Sequence, residues 1–482
     1  MKILLSVVLF CLVSGSKPGF GKSLTESSIV DALKRSSPAQ KATILQKMQA
    51  NYQSLAFENQ FASVLFGETR VSESDNPLDS IWSKSLVTGW RKKMGAGVSA
   101  SVGYAFNREK LGLTVPPPFT FQRVYIPAIT LMLDMDLWKN AFGNLDSDKS
   151  KSLALRMKRA NLGEQLARHR LAITARSLYW ALVFAEQKIT IAGDILQNVE
   201  KSLREVRSRK RDSLADSGDV ASMSANAARA QANVSAARYA RRQIAGDIAA
   251  LIPEIDPKTI KITKVPSLIH NVIELSKRCS AKILQKRQAP LQFSRSDDLA
   301  RLVSENFEQD KKISERDDDA TLKLRLEGQS FGFDNEAATA IEQPFAAEER
   351  KYIASLQLNV PLGNFTQTKQ QKIQLQKTAA EVETSELLAK LNAEHARFSH
   401  SYPALQEALE YYDRAVASQQ SAYRSAVRKY KQGRLSVLDY IGEQNKLLEY
   451  KVSALDSELQ LVLMTLAYLS IFDSSPCSLI KV

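Results

Sequence analysis

Cysteine is scarce in this 482-residue chain, with three residues at positions 11, 279 and 477, so no disulfide framework organises the fold. Histidine is rarer than its usual share: His169, His270, His395 and His400 show no ligand spacing. His395 and His400 lie five apart, which does not stack them on one helix face, so no metal site is expected. Aromatic residues make up only 7 %, which argues against compact sheet sandwiches and for long helices. There is no nucleophile–base arrangement, phosphate loop or metal-ligand cluster, so neither an enzyme nor a cofactor is expected.

Long apolar runs are also missing. The longest, Ile3–Val13, has about eleven residues, against the roughly 20 needed to span a bilayer. With Met1-Lys2 before it and Gly19-Phe20-Gly21 after it, residues 1–21 read as a cleaved export signal. Cys11 raises lipidation as an alternative, although Val8-Leu9-Phe10 lacks the small residue expected there. A mature chain of this kind enters a membrane only through β-strands closed into a barrel. The net charge is +14, but acidic residues interleave with basic ones and no basic stripe carries stacking aromatics, so no nucleic-acid partner is expected. After cleavage Cys279 and Cys477 remain, and an oxidising compartment permits either a disulfide between them or two free thiols.

What is present is a duplication. Two halves, 22–252 and 271–472, follow one plan at an offset of about 220 residues, with a linker at 253–270 and a tail at 473–482. In the first, a helical lead-in (Ile29–Glu58) precedes period-two strands at 94–106 and 124–138, separated by a loop with Pro116-Pro117-Pro118. Helices follow at 147–211 and 220–251. The second half has a lead-in at 273–284, strands at 321–333 and 352–362, and helices at 367–430 and 435–472, with a kink or break expected at Pro403. A helix as long as 147–211 extends roughly 95 Å, which suits a coiled coil or tunnel wall. The next helix is rich in alanine, as close packing on two sides requires. Four strands cannot close a barrel, for which about eight are needed; three chains would supply twelve.

Short breaks at 212–219 and 430–436 join the paired helices. The second reads Tyr430-Lys431-Gln432-Gly433-Arg434-Leu435-Ser436-Val437-Leu438-Asp439. Gly433 suits a helix end needing positive φ, Ser436 a cap, and Asp439 the positive end of the next helix. A Tyr-x-x-Gly followed by Ser-x-x-Asp resembles the signature of the TolC-like outer-membrane efflux proteins, as does the junction Val360-Pro361-Leu362-Gly363-Asn364. Its first-half counterpart has Asp136 where that family often carries proline.

The resemblance implies a mainly α fold with a membrane β-barrel. It further implies a homotrimer in the cell outer membrane that extends into the periplasm and provides the exit duct of a tripartite efflux pump or type I secretion system. Its implied partners are outer-membrane lipid, a periplasmic adaptor and an inner-membrane pump. The helix breaks would form a periplasmic gate, with Asp219 hydrogen-bonded to Tyr430 and with Gly433, Arg434 and Asp439 beside them. The chain departs from the family in having Ser213 for a tip glycine, Gly442 at a second acidic position, and the basic run Arg207-Ser208-Arg209-Lys210-Arg211 before the first break. A periplasmic helical adaptor or a structural coiled-coil protein is the alternative.

Overall fold

The computed structural model describes residues 24–73, 82–110, 123–284, 295–317, 320–360 and 365–472. Residues 1–23 with Cys11, the segment with Pro116–Pro118, the junction residues Pro361–Asn364 and residues 473–482 with Cys477 lie outside the described residues. In chain order the elements are α1 (Glu26–Ser36), α2 (Pro38–Glu58), β1 (Val64–Glu73), β2 (Trp82–Met94), β3 (Val98–Lys110), β4 (Val124–Asp136), α3 (Asn144–Arg211) and α4 (Ser217–Leu251). Then come α5 (Val265–Leu284), α6 (Arg295–Asp317), β5 (Thr321–Phe331), α7 (Ala337–Ala346), β6 (Glu349–Asn359), α8 (Phe365–Lys431) and α9 (Val437–Ile471). Two compact units result, and neither coincides with a sequence half. One comprises Met1–Leu45, Leu162–Asp298 and Glu386–Val482, the other Gln46–Asn161 and Leu299–Ser385.

The second unit holds one antiparallel sheet in the order β1-β2-β3-β4-β5-β6. Where the period-two pattern predicts two strands in each half, the first half has four. The added pair, β1 and β2, contains Phe66, Trp82 and Trp90 but also Lys84, Arg91, Lys92 and Lys93, and these charges hide the alternation. Three chains would therefore supply more than twelve strands. The turn of the β2–β3 hairpin docks on the β4–α3 junction. There the Asp136 amide donates to the Gly97 carbonyl at 3.0 Å. Lys93 Nζ and Asn140 Nδ2 donate to the two oxygens of Asp146 at 2.9 and 2.7 Å. Asp146 sits in the first turn of α3, where the helix dipole favours a carboxylate.

The first unit is helical. The lead-in breaks into α1 and α2 at Ser37, whose extended backbone (ψ 123°) is the conformation that a following proline imposes. Its core joins Ile29 and Leu33 of α1, Leu182 and Val183 of α3, Ile248 of α4, Ile273 of α5, Phe398 and Tyr402 of α8, and Leu461 and Phe472 at the α9 end. α8 continues through Pro403 without a break. Phe398 and Tyr402, both 1 % exposed and stacked at 5.0 Å, lie in the turn and a half before it, and burying two such rings offsets the roughly 3 kcal/mol a helical proline costs. α9 is long and apolar enough to cross a membrane by length and composition, contrary to the expectation of no such segment. Its apolar residues are shared with this core, where Thr465 bonds Ser276 of α5 at 2.6 Å. Cys279 is buried in the same core and disulfide-bonded.

Burial and the nearby Asp413 push the carboxyl of Glu458 up to about 7, against the lowering effect of Lys277. An acid whose folded pKa exceeds its unfolded value favours folding most when protonated. Stability therefore declines as pH rises from about 4.5 towards 7, and the loss is complete above that window. Glu458→Gln removes the decline. After discounting for solvent screening, we expect the variant to gain about 1 kcal/mol over wild type at pH 8 and nothing at pH 4. Parallel melting curves for the two proteins across this range would contradict the assignment.

Candidate functional site at the helix ends

The two helix breaks share the same helix-ending bonds and the same capping position. α3 and α8 both end in a residue with left-handed backbone, Ser213 (φ 59°) and Gly433 (φ 70°), and Gly433 is the 220th position after Ser213. The amides of Leu214 and Arg434 reach back to the carbonyls of Arg209 and Lys429 at 2.7 and 2.8 Å. Those of Ser213 and Gly433 reach Lys210 and Tyr430 at 3.1 and 3.0 Å. This is the Schellman pattern of helix termination, and Ser213 adopts it without the glycine the resemblance leads one to expect. The next helices are capped alike. Asp216 and Ser436 accept from the amides of Asp219 and Asp439 at 2.7 and 3.0 Å. Asp219 and Asp439 thus serve their own helix starts, while Gly433 and Arg434 are exposed.

The Asp219–Tyr430 hydrogen bond implied by the resemblance is not made within the chain. The Tyr430 side chain is buried and its hydroxyl has no hydrogen-bond partner. Its ring stacks on Tyr440 at 4.9 Å. Burial first, and then the Asp219 charge, push its pKa up while Arg209 opposes them. What joins the two breaks is Arg209. Its Nη1 and Nη2 donate to the carbonyls of Tyr430 and Lys431, both at 3.0 Å, and its guanidinium lies 4.6 Å from the Tyr430 ring centre. The last carbonyls of α8 keep lone pairs that the helix does not use and carry the negative end of the dipole, so a forked cation suits them. In the sequence Arg209 is one of four basic residues in a run of five, and nothing there marks it out.

Below the breaks a polar chain crosses all four helices. Ser202 of α3 bonds Tyr440 of α9 at 2.9 Å, and Tyr440 bonds Tyr423 of α8 at 3.2 Å. Gln444 of α9 joins Tyr423 at 3.4 Å and Asn226 of α4 at 3.3 Å. Burial and Tyr440 hold the Tyr423 phenol well above its usual range. The chain can thus hold its four helix ends in one register through hydrogen bonds that a shift of any helix would break. No group of three or more His, Cys, Asp or Glu side chains that could hold a metal occurs among the described residues.

No family model and no curated protein matches the chain. Solved structures do. The CmeC outer membrane channel of Campylobacter jejuni is 13 % identical with a TM-score of 0.66, over 96 % of this chain and 91 % of that one. The outer membrane protein VceC of Vibrio cholerae is 15 % identical with a TM-score of 0.62, over 92 % and 95 %. The MtrE outer membrane channel of Neisseria gonorrhoeae, crystallised in an open state, is 13 % identical with a TM-score of 0.62, over 92 % and 88 %. Identities this low carry the fold and nothing finer. With its antiparallel sheet, its long helices and nearly full coverage in each comparison, the chain has the TolC-like fold of outer-membrane efflux channels.

Proposed function

We propose that the chain is the outer-membrane channel subunit of an efflux or type I secretion system, working as a homotrimer and without catalysis. The observation that carries this reading is the sheet's exposed apolar face. Leu131, Leu356 and Tyr352 are 63, 64 and 77 % exposed, and a soluble monomer rarely leaves such a row open to water. Lipid is the solvent that fits it. Trp138, 59 % exposed just beyond β4, has the amphipathic ring of a membrane-interface belt.

In this reading the helix breaks form the periplasmic gate, with Arg209 and the ring of Tyr430 joining the two hairpins of one chain and with Asp219, Gly433, Arg434 and Asp439 at the rim. An inner-membrane pump reached through a periplasmic adaptor supplies the energy. Partners that bind the dilated tip more tightly than the closed one shift it open. The proposed disulfide between Cys279 and Cys477 fastens the tail to the helical core; reduction should change mobility on a denaturing gel, and identical mobility would remove it.

Planar-bilayer recording of the purified protein tests the channel reading. Discrete, single-sized conductance steps are expected. A protein that folds and binds membranes but never conducts would favour a structural helical protein instead.

A further inference from the structure

Among the described residues the hairpin of β1 and β2 has no counterpart in the second half, where the strands are β5 and β6. It is nevertheless continuous with the rest of the sheet. β2 pairs with β3 over its whole length, from Trp82↔Lys110 to Met94↔Val98, and β1 pairs with β2 from Val64↔Arg91 to Glu73↔Trp82. At 10 and 13 residues both strands reach the 9–11 residues, roughly, that a tilted strand needs to cross a bilayer.

The alternation that marks a membrane wall runs through them as well. One row across the sheet reads Leu65, Trp90, Val102, Leu131, Gly328, Tyr352, from β1 to β6, with no polar side chain interrupting it before the tyrosine. On the opposite face Arg70, Ser85 and Asn107 align. Phe66 of β1 also packs its ring over the backbone at Gly89 and Gly103, where added Cβ atoms would lie 2.7 and 3.8 Å from it. This aromatic cover over glycines pins the added strands to the sheet.

We propose that β1, and not β3, is the edge that joins β6 of a neighbouring copy, so that each chain contributes six strands to the barrel wall. The inference rests on the channel reading above. Among the described residues the outer edges of β1 and β6 pair with no other strand, and six strands are too few to close on themselves. An even number of strands makes the contact between copies antiparallel, as in other outer-membrane barrels. Three copies of six strands close a barrel of eighteen. Because diameter grows roughly in proportion to strand number, its lumen would be about one and a half times as wide as that of a twelve-stranded barrel. A twelve-stranded wall would require β3 to give up its thirteen-residue pairing with β2.

Disulfide trapping in the full-length protein decides between the two edges. Thr69→Cys on β1 is combined in turn with Tyr352→Cys, Ala354→Cys or Leu356→Cys on β6, and Tyr104→Cys on β3 is combined with the same three. After mild oxidation, covalent trimers from at least one Thr69 pair and from none of the Tyr104 pairs are expected. Links from Tyr104, or none from either set in a protein whose native mass is trimeric, overturn the proposal and leave the channel reading standing. A monomeric native mass overturns the channel reading itself. In the unsubstituted trimer, the β1 amides that do not bond to β2 should exchange slowly with solvent deuterium; rapid exchange there counts against the β1 edge.

Discussion

On the proposed channel reading, replacing Arg209 by alanine should open the resting pore. The guanidinium spans two helix ends of one chain, with 3.0 Å bonds to the carbonyls of Tyr430 and Lys431 and the Tyr430 ring beneath it. A hydrogen bond to a charged group is worth about 1.5–3 kcal/mol when shielded, and a cation over a ring adds about 0.5–1 kcal/mol. The site is partly exposed, so screening brings the total to about 2 kcal/mol. If the contact exists only while the hairpins are closed together, its loss shifts the closed-to-dilated ratio by roughly 30-fold. Single-channel recording should show that increase in open probability for Arg209→Ala. Arg209→Lys should fall between, since one point charge cannot fork to two carbonyls. Tyr430→Phe should behave as wild type, because the hydroxyl has no partner in the chain. A rise in Tyr430→Phe matched by one in Asp219→Asn would instead mean that assembly creates the latch the family resemblance implies.

Gly143→Ala should abolish assembly of the channel. Gly143 lies between β4 and α3 with φ at 74°, and a Cβ there would lie 1.6 Å from the carbonyl oxygen of Gly95 in the β2–β3 turn. Gly97 faces the same junction from the other side, at φ 73°, with a Cβ position 2.1 Å from the Asn140 oxygen. Neither obstacle is a side chain that could swing away; both are backbone. The alanine variant must pull the hairpin off the strand-to-helix junction, breaking the Lys93–Asp146–Asn140 bonds with it. Together with the left-handed backbone, which costs a non-glycine residue about 1–2 kcal/mol, we expect a loss of about 4 kcal/mol or more. The readout is the fraction recovered as folded oligomer, and recovery equal to wild type would contradict the packing described here. Gly163→Ala, where no atom lies within 4 Å of the added methyl, is the control.

Much of the architecture was legible because duplication repeats the same local chemistry. The second helix break follows from Gly433 and Ser436, whose preferences are local, whereas the cap at Asp216 lies inside the segment read as a break, four residues before the expected helix start at 220. The strand around Tyr352–Leu358 was legible for the same reason, since its faces alternate without interruption. What escaped notice depends on distant partners. β1 and β2 carry lysines and arginines that blur the period of two, and only pairing with β3 reveals them as wall strands. Pro403 is a helix breaker by local rule, overridden by the burial of Phe398 and Tyr402 on the same helix. Arg209 is indistinguishable from its basic neighbours until α8 ends beside it. The implied Asp219–Tyr430 bond failed within the chain because Asp219 is engaged in its own capping box.

The most direct test of the account is the native mass and location of the protein extracted by detergent from separated outer membranes. A detergent-solubilised particle three times the mass of the mature chain, found with the outer membrane, is the predicted result. A water-soluble monomer in the periplasmic fraction would contradict it, because an apolar sheet face with two open edges has no place in such a protein.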